Sequence, residues 1–276
     1  MNADAPQSKA ARAPRAAVEL PRISRAWLRF FTRYTRRFMS RHFDAVMLSR
    51  AGAAPTAEAG SVVVYLNHPS WWDPIACLHV GRRAFPGRPL YAPMDAAELA
   101  RYGIFKKIGM FGVRPGAAGA RDFLRNSEHV LAQPGATLWI TAQGHFVDAR
   151  VRPVRLAAGV AELARRNPEA RFVPLALEYP PWNERLPVAL ACFGTAERGR
   201  DLVANCGNGR GELTVHLERR LAETMDALAA EAQARDATAF EMLLSGRRGT
   251  SRIYDLWRQF TAWVRGETYT PGHTRS

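Results

Sequence analysis

Cysteine is scarce in this chain, which has only Cys77, Cys192 and Cys206, and none of them forms a C-x-x-C pair. A disulfide framework and a structural zinc site are therefore not expected. The pattern predicts buried, inert thiols in a reducing compartment. Lysine is equally scarce, since only three of the 39 basic residues are lysines and the rest are arginines.

Long apolar runs are also missing. No run approaches the ~18 apolar residues of a transmembrane helix, and the N-terminus lacks the apolar core of a signal peptide. Acidic residues are absent between Glu19 and Asp44. Residues 1–50 hold eleven basic and three acidic side chains, so they carry +8 of the net charge of +14. This charge favours an anionic partner, such as a membrane surface, nucleic acid or an acidic carrier protein.

The acid-free stretch has the pattern of a basic amphipathic helix. Apolar side chains recur at helical spacing at Ile23, Trp27, Phe30, Phe31, Tyr34 and Phe38. The other faces carry Arg22, Arg25, Arg29, Arg33, Arg36, Arg37 and Arg41. We predict a membrane-interface helix over residues 21–50, preceded by a disordered tail over residues 1–20. The alternative is a helix that packs its aromatic stripe onto the main domain, and the two interpretations are compatible.

From residue 51 to 276 the sequence predicts one α/β domain, with a single mixed, mainly parallel sheet flanked by helices. With 47% hydrophobic residues, the 276-residue chain can bury a sizeable core. The predicted strands are 61–66, 90–92, 136–141, 171–177 and 188–193. The predicted helices are 74–81, 95–102, 119–132, 156–166, 212–234 and 250–264.

A histidine and a carboxylate lie five positions apart in the segment N-H-P-S-W-W-D, residues 67–73. His68 precedes a proline, which favours extended geometry, and Asp73 precedes Pro74, as a helix cap does. A strand, a compact turn and a helix start can therefore bring the two side chains together. Histidine is a general base near neutral pH, and a carboxylate can orient it. The alternative is that Asp73 only caps its helix.

Three further blocks follow. Residues 109–114, G-M-F-G-V-R, present Arg114 on a tight backbone, suited to a phosphate. Residues 139–146, W-I-T-A-Q-G-H-F, run from a strand into a glycine-containing turn. Residues 172–175, F-V-P-L, read as a strand whose Pro174 predicts an edge position or a bulge.

In this order the four blocks resemble the motifs of the glycerolipid acyltransferases, which include the 1-acylglycerol-3-phosphate acyltransferases. The resemblance covers roughly residues 61–178. It implies catalysis by His68 and Asp73 and phosphate binding by Arg114, without metal, cofactor or covalent acyl-enzyme. Acyl-CoA or an acyl carrier protein would be the co-substrate and a lipid the acceptor. The substrate-binding residues predicted with it are Asn67, Ser70, Phe111, Arg114, Gln143, Gly144 and His145.

The third block departs from the family pattern. Gln143 stands in place of a glutamate, His145 of a threonine and Phe146 of an arginine. Phenylalanine cannot bind a phosphate, so the acceptor is expected to have a less charged head, such as a sugar or another lipid alcohol. Three downstream arginines could compensate, or could form a solvated loop: Arg150, Arg152 and Arg155.

The sequence therefore predicts a peripheral membrane acyltransferase at the cytoplasmic face, acting on a lysophospholipid-like, less charged or glycosylated lipid. The main alternative is a non-catalytic, lipid-binding membrane adaptor of the same fold, which the altered third block favours and the intact His68 and Asp73 disfavour. Nucleic-acid binding through arginines and stacking aromatics is the other alternative. Helical spacing disfavours it, because that spacing makes one apolar stripe, and no nucleic-acid partner is expected.

Overall fold

The computed structural model describes residues 20–54 and 60–246, and within them the chain forms one mixed sheet of nine strands flanked by helices. The strands are β1 (Ala45–Ser49), β2 (Val62–Leu66), β3 (Leu90–Asp95), β4 (Met110–Val113), β5 (Thr137–Thr141), β6 (Arg171–Glu178), β7 (Val188–Phe193), β8 (Glu197–Arg198) and β9 (Phe240–Ser245). The helices are α1 (Arg25–His42), α2 (Asp73–Ala84), α3 (Ala96–Arg101), α4 (Gly116–Leu131), α5 (Gly159–Arg166), α6 (Gly199–Cys206) and α7 (Arg210–Ala234). Two short 3-10 helices span Gly103–Ile108 and Ala237–Ala239.

The strand order is β4-β3-β5-β2-β6-β7-β1-β9, with β8 paired to β6. Strands β2 to β6 run parallel to one another, while β7, β8 and β9 pair antiparallel with their neighbours β6, β6 and β1. The predicted α/β class with a mainly parallel sheet is confirmed. Because the carboxyl ends of parallel strands meet at one edge, the segments after β2, β4, β5 and β6 lie along that edge.

Alternation along the strands builds a core on each face of the sheet. Val62, Val64 and Leu66 of β2 pack against α2, while Val63 and Tyr65 face the core made by α4, α5 and α7. Such continuous apolar runs are typical of parallel strands buried on both faces. The sheet is therefore a rigid support for the loops at its edge.

The amphipathic segment is shorter than predicted. Helix α1 ends at His42, and residues 45–49 form β1, a buried strand between β7 and β9. The prediction of helix over the whole of 21–50 is therefore wrong at its C-terminal end, because five buried residues pair more favourably in the sheet. The predicted tail, apart from Leu20, and the predicted helix 250–264 lie outside the described residues.

The aromatic stripe of α1 is divided between the domain and the solvent. Phe31 packs on Phe105 and Phe38 on Trp72, with ring centroids 6.0 and 5.2 Å apart, respectively. Phe30 and Tyr34 stay 58% and 55% exposed. The packing interpretation thus holds for one side of the helix, and the other side presents aromatics beside arginines. Among the described residues, no helix combines the length and the apolar character that crossing a bilayer requires.

Pro174 occupies an interior strand, so an edge position is excluded. Strand β6 lies between β2 and β7, and the Pro174 carbonyl accepts from the N–H of Gly194 at 2.9 Å. The nitrogen of Pro174 points to the same side of β6 as its carbonyl. On that side lies the short segment between the end of β7 and the start of β8, which makes no strand pairing there. Its missing N–H therefore falls at an interruption of the ladder.

A buried histidine joins α1 to α2 and makes stability dependent on pH. The Thr35 hydroxyl donates to the Phe31 carbonyl at 2.9 Å, so Nε2 of His79, 3.2 Å away, donates to Thr35. Burial, with Arg36 and Arg82 nearby, lowers the pKa of His79 to about 4. The unfolded chain binds this proton at about pH 6.5, so stability is full above that pH and falls as the pH drops towards 4.

We therefore expect His79→Gln to lose less stability than the wild type on acidification. The glutamine amide can still donate to Thr35 but does not titrate. Between pH 7 and pH 5 the wild type should lose about 2 kcal/mol more of its free energy of unfolding than the variant does, as measured in urea. Parallel pH curves for the two proteins would mean that His79 is protonated in the folded state.

Candidate active site

His68 and Asp73 meet at the end of β2. The chain leaves the strand at Leu66, turns through residues 67–72 and enters α2 at Asp73, at the edge where the parallel strands end. Nδ1 of His68 lies 2.6 Å from Oδ2 of Asp73. Because a carboxylate can only accept, Nδ1 carries the hydrogen, and in the neutral ring Nε2 then keeps its lone pair. The arrangement is that of a histidine base with an orienting carboxylate.

Asp73 is a fully buried acceptor, not a helix cap. Its Oδ2 also accepts from the Ser70 N–H at 3.2 Å, and its Oδ1 accepts from the Tyr179 hydroxyl at 2.7 Å. Asp73 is the first residue of α2, and the preceding Trp72 makes no side-chain cap. The capping interpretation is wrong, because Ser70 and the other donors use both carboxylate oxygens and the side chain accepts from none of the first N–H groups of α2.

Tyr179 was not predicted from the sequence. It follows β6 at the same sheet edge, and burial beside Asp73 raises the pKa of its phenol well above the usual range. The hydroxyl therefore remains a donor to Asp73 at every working pH. The sequence does place a polar residue just after the predicted strand 171–177. Its contact with Asp73 was not predictable, because that requires knowing that this strand pairs with β2.

The segment after the neighbouring strand β5, which includes the third block, forms hydrogen bonds with the backbone of His68. Gln143, which follows β5, accepts from the His68 N–H through Oε1 at 2.8 Å, and the Val147 N–H donates to the His68 carbonyl at 2.9 Å. Gln143 is buried and does not line the cavity that contains the His68 ring, so it holds the His68 backbone, and its predicted contact with substrate stays a prediction. Gly144 does line it, with φ of 76°, and His145 is exposed outside it.

Phe146 covers the His68 ring. Its ring centroid lies 4.4 Å from that of His68, at an interplanar angle of 44°. The sequence marked Phe146 only as a departure from a family pattern, whereas the structure places it in the site. It puts an apolar surface where a cation was expected.

Asn67 and Ser70 form hydrogen bonds with backbone groups and do not line the His68 cavity. The Asn67 amide is fully buried; its Nδ2 donates to the Leu177 carbonyl at 2.9 Å and its Oδ1 accepts from the Leu177 N–H at 2.8 Å. The Ser70 hydroxyl accepts from the Trp72 N–H at 3.3 Å. Asn67 does not line the His68 cavity, since the end of β6 takes its polar atoms, and its predicted contact with substrate stays a prediction.

The second block does not reach the His68 cavity. Phe111 is buried in the core on the opposite face of the sheet and does not line the His68 cavity. It lines a separate groove beside β4, and its predicted contact with substrate stays a prediction. Arg114 is exposed at the end of β4 and forms an ion pair with Asp122, whose pKa is lowered by that hydrogen bond. Strands β3 and β5 separate β4 from β2, which corresponds to roughly 14 Å of sheet.

A cavity of about 710 Å³ opens beside the His68 ring. Trp71 and Phe146, 54% and 60% exposed, lie at its surface end, and the buried Cys77 and Trp139 line its interior. Most of its other lining residues are apolar, among them Phe31, Leu78, Leu90, Phe105, Ile108 and Met110. Its size is within the range of about 300–1,000 Å³ that small-molecule sites have. The His68 ring therefore lies beside a cavity fit for a long apolar group.

The cysteines are free, and burial raises the pKa of the Cys77 thiol. Within residues 20–54 and 60–246, no group of three acidic, histidine or cysteine side chains is arranged to hold a metal.

No protein-family model matches the sequence, and comparison with curated proteins finds no significant match. Among solved structures, the chain is similar to the 1-acyl-sn-glycerophosphate (LPA) acyltransferase PlsC of Thermotoga maritima. The TM-score is 0.50 and the sequence identity 11%, over 74% of this chain and 80% of that one. The likeness concerns the arrangement of strands and helices alone.

Proposed function

We propose that this protein is a peripheral acyltransferase of the cytoplasmic membrane face, which moves a fatty acyl group from a thioester to a hydroxyl of a lipid. The observation that carries the proposal is the His68–Asp73 pair at the mouth of an apolar cavity. A base oriented by a buried carboxylate suits deprotonation of a hydroxyl, and the cavity suits an acyl chain. The similarity of fold to an LPA acyltransferase supports acyl transfer to a lipid.

In the proposed reaction, Nε2 of His68 takes the proton of the acceptor hydroxyl while Asp73 stabilises the imidazolium. The hydroxyl oxygen attacks the thioester carbonyl of an acyl-CoA or acyl carrier protein, and a tetrahedral oxyanion forms. Its collapse breaks the carbon–sulfur bond, and the leaving thiolate takes the proton from His68. The ester product and the free thiol balance the reaction without a metal or cofactor.

The test is release of free thiol from palmitoyl-CoA in the presence of a panel of lipid alcohols. Thiol release that depends on both the acceptor and the protein supports the enzyme. The rival, a non-catalytic adaptor, is favoured by Phe146 covering the His68 ring. It predicts vesicle binding with no acceptor-dependent thiol release from any acceptor or thioester.

The acceptor should carry a neutral or sugar head. The three downstream arginines are engaged, since Arg150 pairs with Asp148, Arg152 with Asp226 and Arg155 with Glu218. Arg114 is paired and stands apart from the His68 cavity. A phosphate beside Phe146 would therefore lack a cation that charge-assisted hydrogen bonding needs.

We predict that lysophosphatidate is a poorer acceptor than a neutral or sugar-headed lipid alcohol at equal concentration. Phe146→Arg should raise the share of lysophosphatidate acylated by about ten-fold, as one charge-assisted hydrogen bond is worth about 1.5–3 kcal/mol. Phe146→Leu is the matched control, because it removes the ring without adding charge. A wild-type preference for lysophosphatidate in the competition assay would refute this acceptor class.

The exposed face of α1 should bind anionic membrane. Phe30 and Tyr34 lie beside the arginines of the helix, and exposed Trp71 lies next to Phe38 of α1. Deleting the helix is a poor test, because its Thr35 and Met39 are buried in the fold. Aromatic side chains in the acyl boundary and arginines on phosphates give binding that weakens with salt.

Phe30→Ser with Tyr34→Ser should release the protein from anionic vesicles in a flotation assay. The matched control is Val215→Ser with Met242→Ser, two exposed apolar side chains elsewhere on the surface. High salt should also release the wild type. Equal flotation of both double variants would mean that the α1 aromatics serve packing alone.

A further inference from the structure

A second, basic groove lies beside the edge strand β4. It has a volume of about 980 Å³ and is formed by the chain entering α1, by the first 3-10 helix, by β4 and by α4. Its polar and charged lining residues are Arg22, Ser24, Lys106, Lys107 and Asn126. The Ser24 N–H donates to the Lys107 carbonyl at 2.8 Å, which holds the two walls together. We call this site the basic groove.

The three cations of the basic groove are not neutralised by carboxylates. Arg22, Lys106 and Lys107 are exposed, and within the described parts of the chain none of them forms an ion pair with a carboxylate. No acidic side chain lines the groove. By contrast, ion pairs with carboxylates engage Arg114, Arg150, Arg152 and Arg155. The groove therefore offers unneutralised charge to an anion.

An aromatic ring accompanies these charges. The Lys107 ammonium lies 5.5 Å from the ring centroid of Trp27, which is half-buried in the groove wall. Lysine binds phosphate as a point charge, and an indole can stack on a nucleobase. The groove thus combines the groups that recognise a phosphorylated nucleotide.

The basic groove adjoins the His68 cavity. Met110 lines both. Trp27 lines the groove, and Phe31, one turn further along α1, lines the cavity. In the 3-10 helix, Phe105 lines the cavity and Lys106 the groove. A ligand can therefore place its anionic end in the groove and its acyl end beside His68.

We infer that the basic groove binds the phosphorylated nucleotide of a coenzyme A thioester, which makes coenzyme A the acyl donor. This inference rests on the proposed acyl transfer. A concave site with its cations inside suits a small, multiply phosphorylated molecule, whereas a carrier protein would need a convex or flat basic surface. Membrane phosphates share the chemistry but would have to leave the bilayer plane to enter the groove.

The test is calorimetric titration of coenzyme A into the full-length protein, without turnover. Lys106→Ala with Lys107→Ala should raise the Kd for coenzyme A by roughly ten-fold or more, because charge-assisted contacts to phosphate are lost. The matched control is Arg210→Ala with Arg219→Ala, which removes the same charge from exposed positions of α7 and should not change the Kd. An unchanged Kd in the lysine variant, or an equal rise in the control, would overturn the inference.

Two further experiments distinguish a groove that binds coenzyme A from one that binds lipid headgroups. The lysine variant should keep wild-type flotation on anionic vesicles, and its KM should rise for palmitoyl-CoA but not for a palmitoyl thioester that lacks the nucleotide. Loss of flotation with an unchanged Kd for coenzyme A would assign the groove to lipid headgroups and refute the inference. So would a loss of turnover confined to an acyl carrier protein donor. Binding of coenzyme A without any acyl transfer would refute the proposed function instead.

Discussion

Replacing His68 with alanine should lower the rate of acyl transfer by about 10²–10⁴-fold, the range that a general base contributes. The fold should persist, because the ring is at the cavity surface and the loop is held through the His68 backbone. Gln143 and Val147 bond to that backbone and not to the ring. Asp73 would still accept from Tyr179 and from the Ser70 N–H.

The measurement is thiol release per folded molecule, with thermal unfolding as the check on the fold. His129→Ala is the matched control, since His129 is an exposed histidine of α4 that does not line the cavity. It should retain wild-type turnover. A near-normal rate for His68→Ala would eliminate the proposed mechanism.

Asp73→Asn should reduce turnover by about 10²-fold or more, and it should also destabilise the protein. The carboxylate accepts from three donors, His68 Nδ1–H, Ser70 N–H and the Tyr179 hydroxyl. An amide has one oxygen, so at least one donor would meet an NH₂ group, at a cost of about 1–3 kcal/mol for a buried unsatisfied group. The histidine would lose both its orientation and its counter-charge.

Tyr179→Phe provides the graded comparison. It removes a single neutral donor from Asp73, worth about 1 kcal/mol, so kcat should fall by only a few-fold while KM for the donor stays unchanged. The readouts are kcat, KM and the free energy of unfolding for both variants. If Asp73→Asn lost stability but kept the wild-type kcat per folded molecule, Asp73 would be structural only.

Most of the regular elements were predictable from apolar periodicity. The strands β2, β3, β5, β6 and β7 and the helices α2, α3, α4, α5 and α7 all occur where the pattern predicted them, with ends shifted by a few residues. The elements that escaped prediction are β1, β4, β8, β9 and α6. The short edge strand β4 contains Gly112 and directly follows Gly109, so its sequence favours a turn. It is a strand because β3 pairs with it.

The candidate site was predictable where it is local. His68 and Asp73 are five residues apart, and a proline-directed turn into a helix start suffices to bring them together. The roles of Asn67, Gln143 and Arg114 were not predictable, because each depends on a partner in another element. Asn67 forms hydrogen bonds with the Leu177 backbone, Gln143 with the His68 backbone and Arg114 with the Asp122 carboxylate.

The sequence by itself determined the α/β class, the basic aromatic helix and the His68–Asp73 pair, since these follow from periodicity, charge and short-range turn geometry. Only the tertiary structure decided that Tyr179, 106 residues away from Asp73, completes the carboxylate's hydrogen bonds and that Phe146 covers the His68 ring. The physical reason is the parallel sheet. It brings the carboxyl ends of β2, β5 and β6 to one edge, and the neighbours at that edge are chosen by packing between strands and not by any local sequence.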